Sequence, residues 1–491
     1  MIVKNITIVG GGTASWLTAA YLYKNQPNIK ITVVDKEVGN PIGVGEASLL
    51  SFKPFMTECG FDEKEWMVAT DAGYKSAILF ANWQEDGNNI WHPFYKGNKN
   101  VVNNLNIWNL WSLNQDLDFK KYALGLYDSS VLHNSVDFDQ INSYGYHVDC
   151  GKLVVYIQNY LKDKINIIRS DVVEVVKSNG QSIDLLRLKD GQEISSDLYV
   201  DCTGFNQVLG KSDKRINLDD RLFVNTAVAC PVPYQDKPNE FKPYAVCEAV
   251  DHGWIWKIGV DSRIGSGMVF NRNITSIDEA KKYFVQHWNN RIDENKVRVI
   301  NWDPYYIKDQ WRGNIVNIGL SAGFIEPLES TGIGLITVGI TQLNNAIQEN
   351  YYSARDQDYF NCQMNTLFED CVDFVSMHYA NNFRTSDFWK HVKNTFVPSD
   401  RMIHQLSMLD DPNTGMPFSG KYNYMFGGAN WTTILQQLGY SVAPRNISIN
   451  KETARELVIK NYMLHEKNRH VSSRHHSSEI AALKEEHYLL K

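Results

Sequence analysis

The chain has 491 residues, 43% of them hydrophobic, enough for a large core and, at about 150 residues each, for roughly three domains. A formal net charge of −7 and a pI near 6.0 exclude a nucleic-acid surface, which needs clustered excess Lys and Arg. No run of about 18 apolar residues occurs, so no membrane span is expected.

The chain opens directly on a β-rich run, 2–9 (I-V-K-N-I-T-I-V), which leaves no room for a signal peptide. The seven cysteines, Cys59, Cys150, Cys202, Cys230, Cys247, Cys362 and Cys371, are scattered and odd in number. They form no C-x-x-C pair, as expected of reduced thiols in the cytoplasm. Gly10-Gly11-Gly12 follows the first strand, an Ala/Leu/Tyr-rich helix runs through Tyr23, and 29–34 reads as a second strand ending in Asp35. Further strands are predicted over 165–176, 183–188, 198–200 and 297–300, and a hairpin over 254–270. From Ile333 onward the pattern is largely helical. The last 25 or so residues are charged, with His465, His470, His475, His476 and His487 in or near them. Their spacing matches no metal-ligand pattern, and a solvated helix or frayed tail is expected.

Gly10-x-Gly12 lies between a strand and a helix, where a phosphate-binding turn belongs. Glycines there let the backbone approach a pyrophosphate resting on the helix N-terminus. Gly10, Gly12, Thr13, Ala14 and Asp35 are therefore cofactor-binding candidates, with Asp35 placed to accept a ribose hydroxyl. The third motif position is Ser15 rather than Gly. No second such fingerprint follows, and Asp197-x-x-Val200-Asp201-Cys202-Thr203-Gly204 resembles the FAD-binding fold of the glutathione-reductase and hydroxylase type, which favours FAD over NAD.

Several segments resemble flavin-dependent halogenases of the tryptophan-halogenase branch. The strongest is 318–333, I-G-L-S-A-G-F-I-E-P-L-E-S-T-G-I. Trp254-Ile255-Trp256-Lys257-Ile258-Gly259 matches the family's W-x-W-x-I-P, with Gly in place of Pro. Matching pieces include Gly43-Val44-Gly45-Glu46-Ala47, Tyr74-Lys75-Ser76-Ala77-Ile78, Asn82-Trp83, Tyr146-His147-Val148-Asp149 and Arg263-x-Gly265-x-Gly267. His378-Tyr379, Arg384 and Phe388-Trp389 complete the set. The similarity runs from residue 3 to roughly 440 and thins beyond.

The resemblance implies that reduced FAD and O₂ oxidise a halide to hypohalous acid, which a lysine holds beside the substrate. On it, Lys75, Glu329 and Ser330 are the catalytic candidates, and Thr331 and Gly332 bind halide. Lys75 can hydrogen-bond the electrophile or form a haloamine, and Glu329 can accept the proton lost from the ring. Backbone N–H groups at a helix start bind anions without a lysine. Ala47, Val172, Leu320 and Ile333 join the FAD-binding set. His92, Phe94 and Trp431 are substrate-binding candidates, suited to stacking on a flat ring. Trp254 and Trp256, alternating onto one strand face, shield the path between flavin and substrate.

The expected architecture is mixed α/β: a three-layer FAD-binding module of the glutathione-reductase/hydroxylase type, from 1–90 and 140–345. A largely helical substrate region comes from 91–139 and 346–491. The expected cofactors are FAD, used as FADH₂, and a halide ion, with no metal. The expected partners are a separate NAD(P)H-dependent flavin reductase and a small aromatic substrate, with self-association left open. The residues by which free-tryptophan members hold the amino acid's charged ends are not matched. The rival enzyme is a flavin-dependent aromatic monooxygenase, which would leave W-x-W, Lys75 and the E-P-L-E-S-T-G-I string unexplained.

Overall fold

The computed structural model describes residues 3–36, 46–94, 101–102, 105–118, 134–137, 144–178, 182–350, 352–413, 425–444 and 446–489. The chain divides into two compact units, one from Met1–Ala72, Val148–Asp219 and Asp303–Glu369, the other from Gly73–His147, Asp220–Trp302 and Asp370–Lys491. Compactness thus groups 220–302 with the later helices.

The first unit is built on a six-stranded sheet in the order Asn166–Arg169, Lys30–Asp35, Asn5–Val9, Leu198–Asp201, Ile315–Asn317, Trp311–Arg312. The first five are parallel neighbours and the last pairs antiparallel. β-Branched runs such as I-T-I-V and I-T-V-V suit strands covered on both faces. Val9, Val34, Tyr199, Leu209 and Ile315 share a core cluster with Ile183, Leu186 and Leu188. Chain order reverses between Asn5–Val9 and Leu198–Asp201, and the crevice at the carboxyl ends of such a pair is where ligands bind in doubly wound sheets. The run 165–176, read as one strand, is two. Asn166–Arg169 extends the parallel sheet, whereas Val172–Lys177 pairs antiparallel with Ile183–Leu188. Ser170 and Asp171 break the run between them.

The second unit holds a seven-stranded sheet in the order Arg298–Asn301, Thr226–Val232, Arg263–Phe270, Gly253–Val260, Tyr244–Val250, Ala77–Ala81, Ile90–Pro93. All neighbours are antiparallel except Tyr244–Val250 with Ala77–Ala81. The hairpin expected over 254–270 forms with Trp256 opposite Gly267. Helix Ile277–His287 packs Ala280 and Phe284 into a cluster with Val228, Ile255, Met268 and Phe270. Ser276 caps that helix by accepting from the Glu279 amide at 3.2 Å.

The terminal segment is not a solvated tail. Ser473–His475 pairs antiparallel with Ser135–Asp137, and helix His476–Leu489 buries His476, Ile480 and Leu483. These three, spaced i, i+4, i+7, form a narrow apolar stripe that Glu479 and the charged run Lys484–Glu486 conceal in the sequence.

Candidate active site

In the first unit, the Gly10 loop leaves strand Asn5–Val9 and meets the Asp201-Cys202-Thr203-Gly204 turn. Gly10 has φ +138°, and a Cβ on it would lie 2.4 Å from the Cys202 carbonyl oxygen. Only glycine allows that approach. The buried Asp201 carboxylate builds the turn, accepting from Thr203 N at 2.9 Å, Thr203 Oγ1 at 2.6 Å and Leu209 N at 2.9 Å. Helix Thr13–Asn25 starts at Gly12 with no side-chain cap and no acid in its first turn. A Cβ at Gly12 would meet no atom within 4 Å, so the turn can admit a phosphate to these amides. Gly319 (φ +77°) packs beside this helix start, where a Cβ would fall 2.8 Å from Ala14 Cβ, and Leu320 Cβ lies 3.9 Å from the Cβ position of Gly204.

Asp35 ends strand Lys30–Asp35 as expected, but it is buried and ion-paired with Arg169. Burial raises its pKa against the pull of that guanidinium. Any ribose contact is therefore shared with an arginine that the fingerprint does not reveal. Ala47 is buried in the two-residue strand Glu46–Ala47, Ile333 is buried in helix Thr331–Gln348, and Val172 packs on the core cluster that contains Val9 and Val34. Gly43, Val44 and Gly45 lie outside the described residues.

The E-P-L-E-S-T-G-I string forms a tight turn into that 18-residue helix. Glu326 and Glu329 are both buried. Glu329 (φ 63°) and Ser330 (φ 59°) are left-handed, the helix has no acid in its first turn, and a Cβ at Gly332 would meet nothing within 4 Å.

In the second unit, Lys75 is fully buried at the end of strand Gly73–Lys75, which pairs antiparallel with Gly145–Val148. Its Nζ lies 4.8 Å from the Phe94 ring centroid. Phe94 meets His92 at 6.4 Å, and His92 meets Phe374 at 5.5 Å and Phe426 at 6.2 Å. Phe374 stacks on Phe426 at 4.0 Å and meets Trp431 at 5.1 Å. The substrate candidates thus belong to one aromatic cluster that includes the lysine. His147, opposite Gly73, is buried with Nδ1 3.0 Å from the Gly259 carbonyl oxygen. A carbonyl only accepts, so Nδ1 carries the proton, and Nε2 has no hydrogen-bond partner among the described residues. Burial, then the positive charge of Lys75, hold this imidazole well below its usual pKa.

Trp254 and Trp256 are both buried, with ring centroids 6.4 Å apart. Trp254 Nε1 donates to Tyr379 Oη at 3.0 Å. Trp256 lies over Gly267, where a Cβ would fall 2.1 Å from its ring. At Gly259, which stands where the family motif has Pro, a Cβ would meet the Phe241 ring and Tyr234 Oη at 2.9 Å. The Asn82-Trp83 and His378-Tyr379 pieces also meet, Trp83 Nε1 donating to the His378 carbonyl at 2.5 Å.

Residues 5–454 match the tryptophan halogenase family. The chain belongs to that family. It is 30% identical to the tryptophan 6-halogenase ThaL of Streptomyces albogriseolus, over 79% of this chain and 78% of that protein. Among solved structures, the tryptophan 6-halogenase SttH of Streptomyces toxytricini superposes with a TM-score of 0.87 at 26% identity, covering 98% of this chain and 100% of that one. BrvH, a flavin-dependent halogenase from Brevundimonas sp. BAL3, superposes at 0.84 with 26% identity, covering 98% and 99%. This chain is accordingly a flavin-dependent halogenase with the mixed α/β fold expected of it. Among the described residues no helix is long and apolar enough to cross a membrane, and no cluster could hold a metal ion.

Sequence reasoning missed several residues of this halogenase's aromatic cluster. Asn430 Nδ2 lies 2.8 Å from His92 Nε2. Asp370 accepts from the Met425 and Phe426 amides at 3.0 and 3.2 Å and so fixes Phe426. Its carboxyl is pushed up to about 7 by burial, against the pull of Arg401 and those amides. A lone Asp in a helical run carries no signal of this. Asn430 adjoins the candidate Trp431 in the sequence, which is the signal that could have found it.

Proposed function

We propose that this chain uses FADH₂, O₂ and a halide ion to halogenate an electron-rich, indole- or phenol-like small molecule through hypohalous acid held by Lys75. The observation that carries the reading is a fully buried lysine whose Nζ lies 4.8 Å from the Phe94 ring, in the same aromatic cluster as His92 and Trp431. The Gly10–Ala14 turn, Asp35, Ala47, Val172, Leu320 and Ile333 are assigned to FAD, which with O₂ supplies the oxidant that turns halide into hypohalous acid. The amides of Thr331 and Gly332, at an acid-free helix start, are assigned to the halide.

The Lys75 ammonium donates to the oxygen of HOX. The ring carbon takes the halogen as the O–X bond breaks, hydroxide leaves as water with the lysine's proton, and Glu329 accepts the ring proton. Ser330 supports Glu329. His92, Phe94 and Trp431 hold the ring, and Trp254 and Trp256 keep flavin chemistry from reaching it directly. A separate NAD(P)H-dependent reductase delivers FADH₂, because the sequence carries a single dinucleotide fingerprint, which is assigned to FAD.

The test supplies a flavin reductase, FAD, NADH and chloride, bromide or iodide separately over an aromatic library, read by mass spectrometry. Halide-dependent products are expected, and hydroxylated products indifferent to halide would mean a monooxygenase. Lys75→Ala is expected to keep consuming O₂ while free HOX reaches an added scavenger and halogenated product falls by about 10²-fold or more. Regioselective product at the unsubstituted level would remove Lys75 from the mechanism.

A further inference from the structure

Beyond its ladder with Gly145–Val148, the segment Tyr74–Ser76 is fastened at three further backbone points. Ser76 N donates to the Pro243 carbonyl at 2.7 Å, and Ser76 O accepts from Phe94 N at 2.9 Å. The third anchor is a side chain. His476 Nε2 accepts from the Tyr74 amide at 3.0 Å, and its Nδ1 lies 3.1 Å from the Phe241 carbonyl oxygen. Since that carbonyl can only accept, Nδ1 bears the proton and Nε2 offers its lone pair to Tyr74. The imidazole therefore closes an outer-strand N–H that a neighbouring strand would otherwise take.

His476 is fully buried, and burial pushes its pKa down to about 4, so it remains a neutral acceptor near pH 7. The segment that delivers it is itself secured. Ser473–His475 pairs with Ser135–Asp137, and Lys484 reaches Asp261, which also holds Lys237 at 2.6 Å. On the other side, a Cβ added to Gly73 would sit 2.8 Å from the Phe241 ring and 3.1 Å from His476 Cε1.

We infer that His476, supplied by the C-terminal helix, is a positioning residue for Lys75: it fixes the Tyr74 amide and with it the direction of the lysine stem. The inference rests on the reading that Lys75 holds the electrophile. Misplacing a reacting group by about 1 Å can cost on the order of 10²-fold, so loss of the anchor uncouples oxidant formation from ring halogenation.

The test compares His476→Gln, whose Oε1 can take the place of Nε2 toward Tyr74, with His476→Asn, which reaches only the Phe241 side. The full-length variants, FAD, a reductase and bromide are assayed for O₂ consumption, brominated product and scavenger-trapped HOX. His476→Asn is expected to consume O₂ normally while the ratio of product to trapped HOX falls by about 10²-fold, and His476→Gln to restore most of it. Gly73→Ala, which presses on the same ring without removing it, should shift the ratio in the same direction and serves if His476→Asn does not fold. An unchanged ratio in His476→Asn, or equal loss in Gln and Asn at equal Tm, overturns the inference. Lys75→Ala in the same assay separates the two readings. If it halogenates normally, the lysine mechanism fails and this inference with it; if it is uncoupled while His476→Asn is not, only the positioning role fails.

Discussion

Glu329 and Ser330 adopt left-handed backbone in succession, φ 63° and 59°, directly before helix Thr331–Gln348. Non-glycine residues held this way cost about 1–3 kcal/mol each and persist only where the surroundings over-determine them. Here Leu328, Glu329 and Thr331 are all buried, so packing fixes the turn that aims Glu329. Ser330→Val, β-branched at positive φ, should lower stability by about 1–3 kcal/mol in denaturant unfolding, whereas Ser330→Gly should not. Glu329→Gln keeps the shape but cannot accept the ring proton. Flavin binding and O₂ consumption should persist while product formation falls by about 10²–10⁴-fold. A Glu329→Gln protein that forms product as fast as the wild type would move the base elsewhere.

Gly267 and Trp256 should behave as one unit, since the indole occupies the space a Cβ would need. Gly267→Ala overpacks the buried contact between these two strands and should destabilise by about 1–3 kcal/mol. Trp256→Phe in the same chain frees that space, so a double-mutant cycle should return a coupling of about 0.5–3 kcal/mol. Additive effects would mean that the ring shifts freely and that glycine is not required for it.

Much of this was legible in the sequence because the informative contacts are local. Gly10, Gly12 and Asp35 declare themselves by their place between strands and helix. The E-P-L-E-S-T-G-I string carries its own turn, and Lys75 is flanked by the apolar residues that bury it. What stayed hidden depends on partners far along the chain. His476 meets Tyr74 across 402 residues, and Arg169 reaches Asp35 across 134. Asp370 acquires its role only where the Met425–Phe426 backbone arrives. Periodicity reports which face of an element is buried, not which distant group lies against it. The terminal helix illustrates this, its charge density masking a three-residue docking stripe.

Free L-tryptophan should be a poorer substrate than simple indoles or phenols, although relatives such as ThaL are tryptophan halogenases. The cluster of Phe94, His92, Phe374, Phe426 and Trp431 suits an apolar ring. Desolvating a zwitterion without matched partners is unfavourable by several kcal/mol. Steady-state kcat/KM for tryptophan, indole and a phenol checks this, and a value for tryptophan well above the others would reverse it.

Acid stability should hide two opposed titrations that variants can separate. His476 falls from the ordinary 6.5 to about 4 on burial, with His475 and Lys237 disfavouring its charge and the Phe241 carbonyl and Asp261 favouring it. Between those values the unfolded chain binds the extra proton, so this contribution is present above about pH 6.5 and is lost as pH falls toward 4. Asp370 runs the other way, raised from 3.8 to about 7. There the folded chain holds the proton, and stability present below about pH 4 is lost as pH rises through 7. A tenfold difference in proton affinity between folded and unfolded chain is worth about 1.4 kcal/mol. His147 has the sign of His476, while Asp35, Asp201 and Glu46 have that of Asp370, so the wild-type profile alone assigns neither slope. Differences from wild type do, because the other groups cancel. From urea unfolding at pH 4.5, 5.5, 6.5 and 7.5, His476→Gln should gain relative to wild type as pH falls. Asp370→Asn should gain relative to wild type as pH rises, its neutral amide still accepting from the Met425 and Phe426 amides. A difference that is flat with pH for either variant would mean that its group does not titrate over this range.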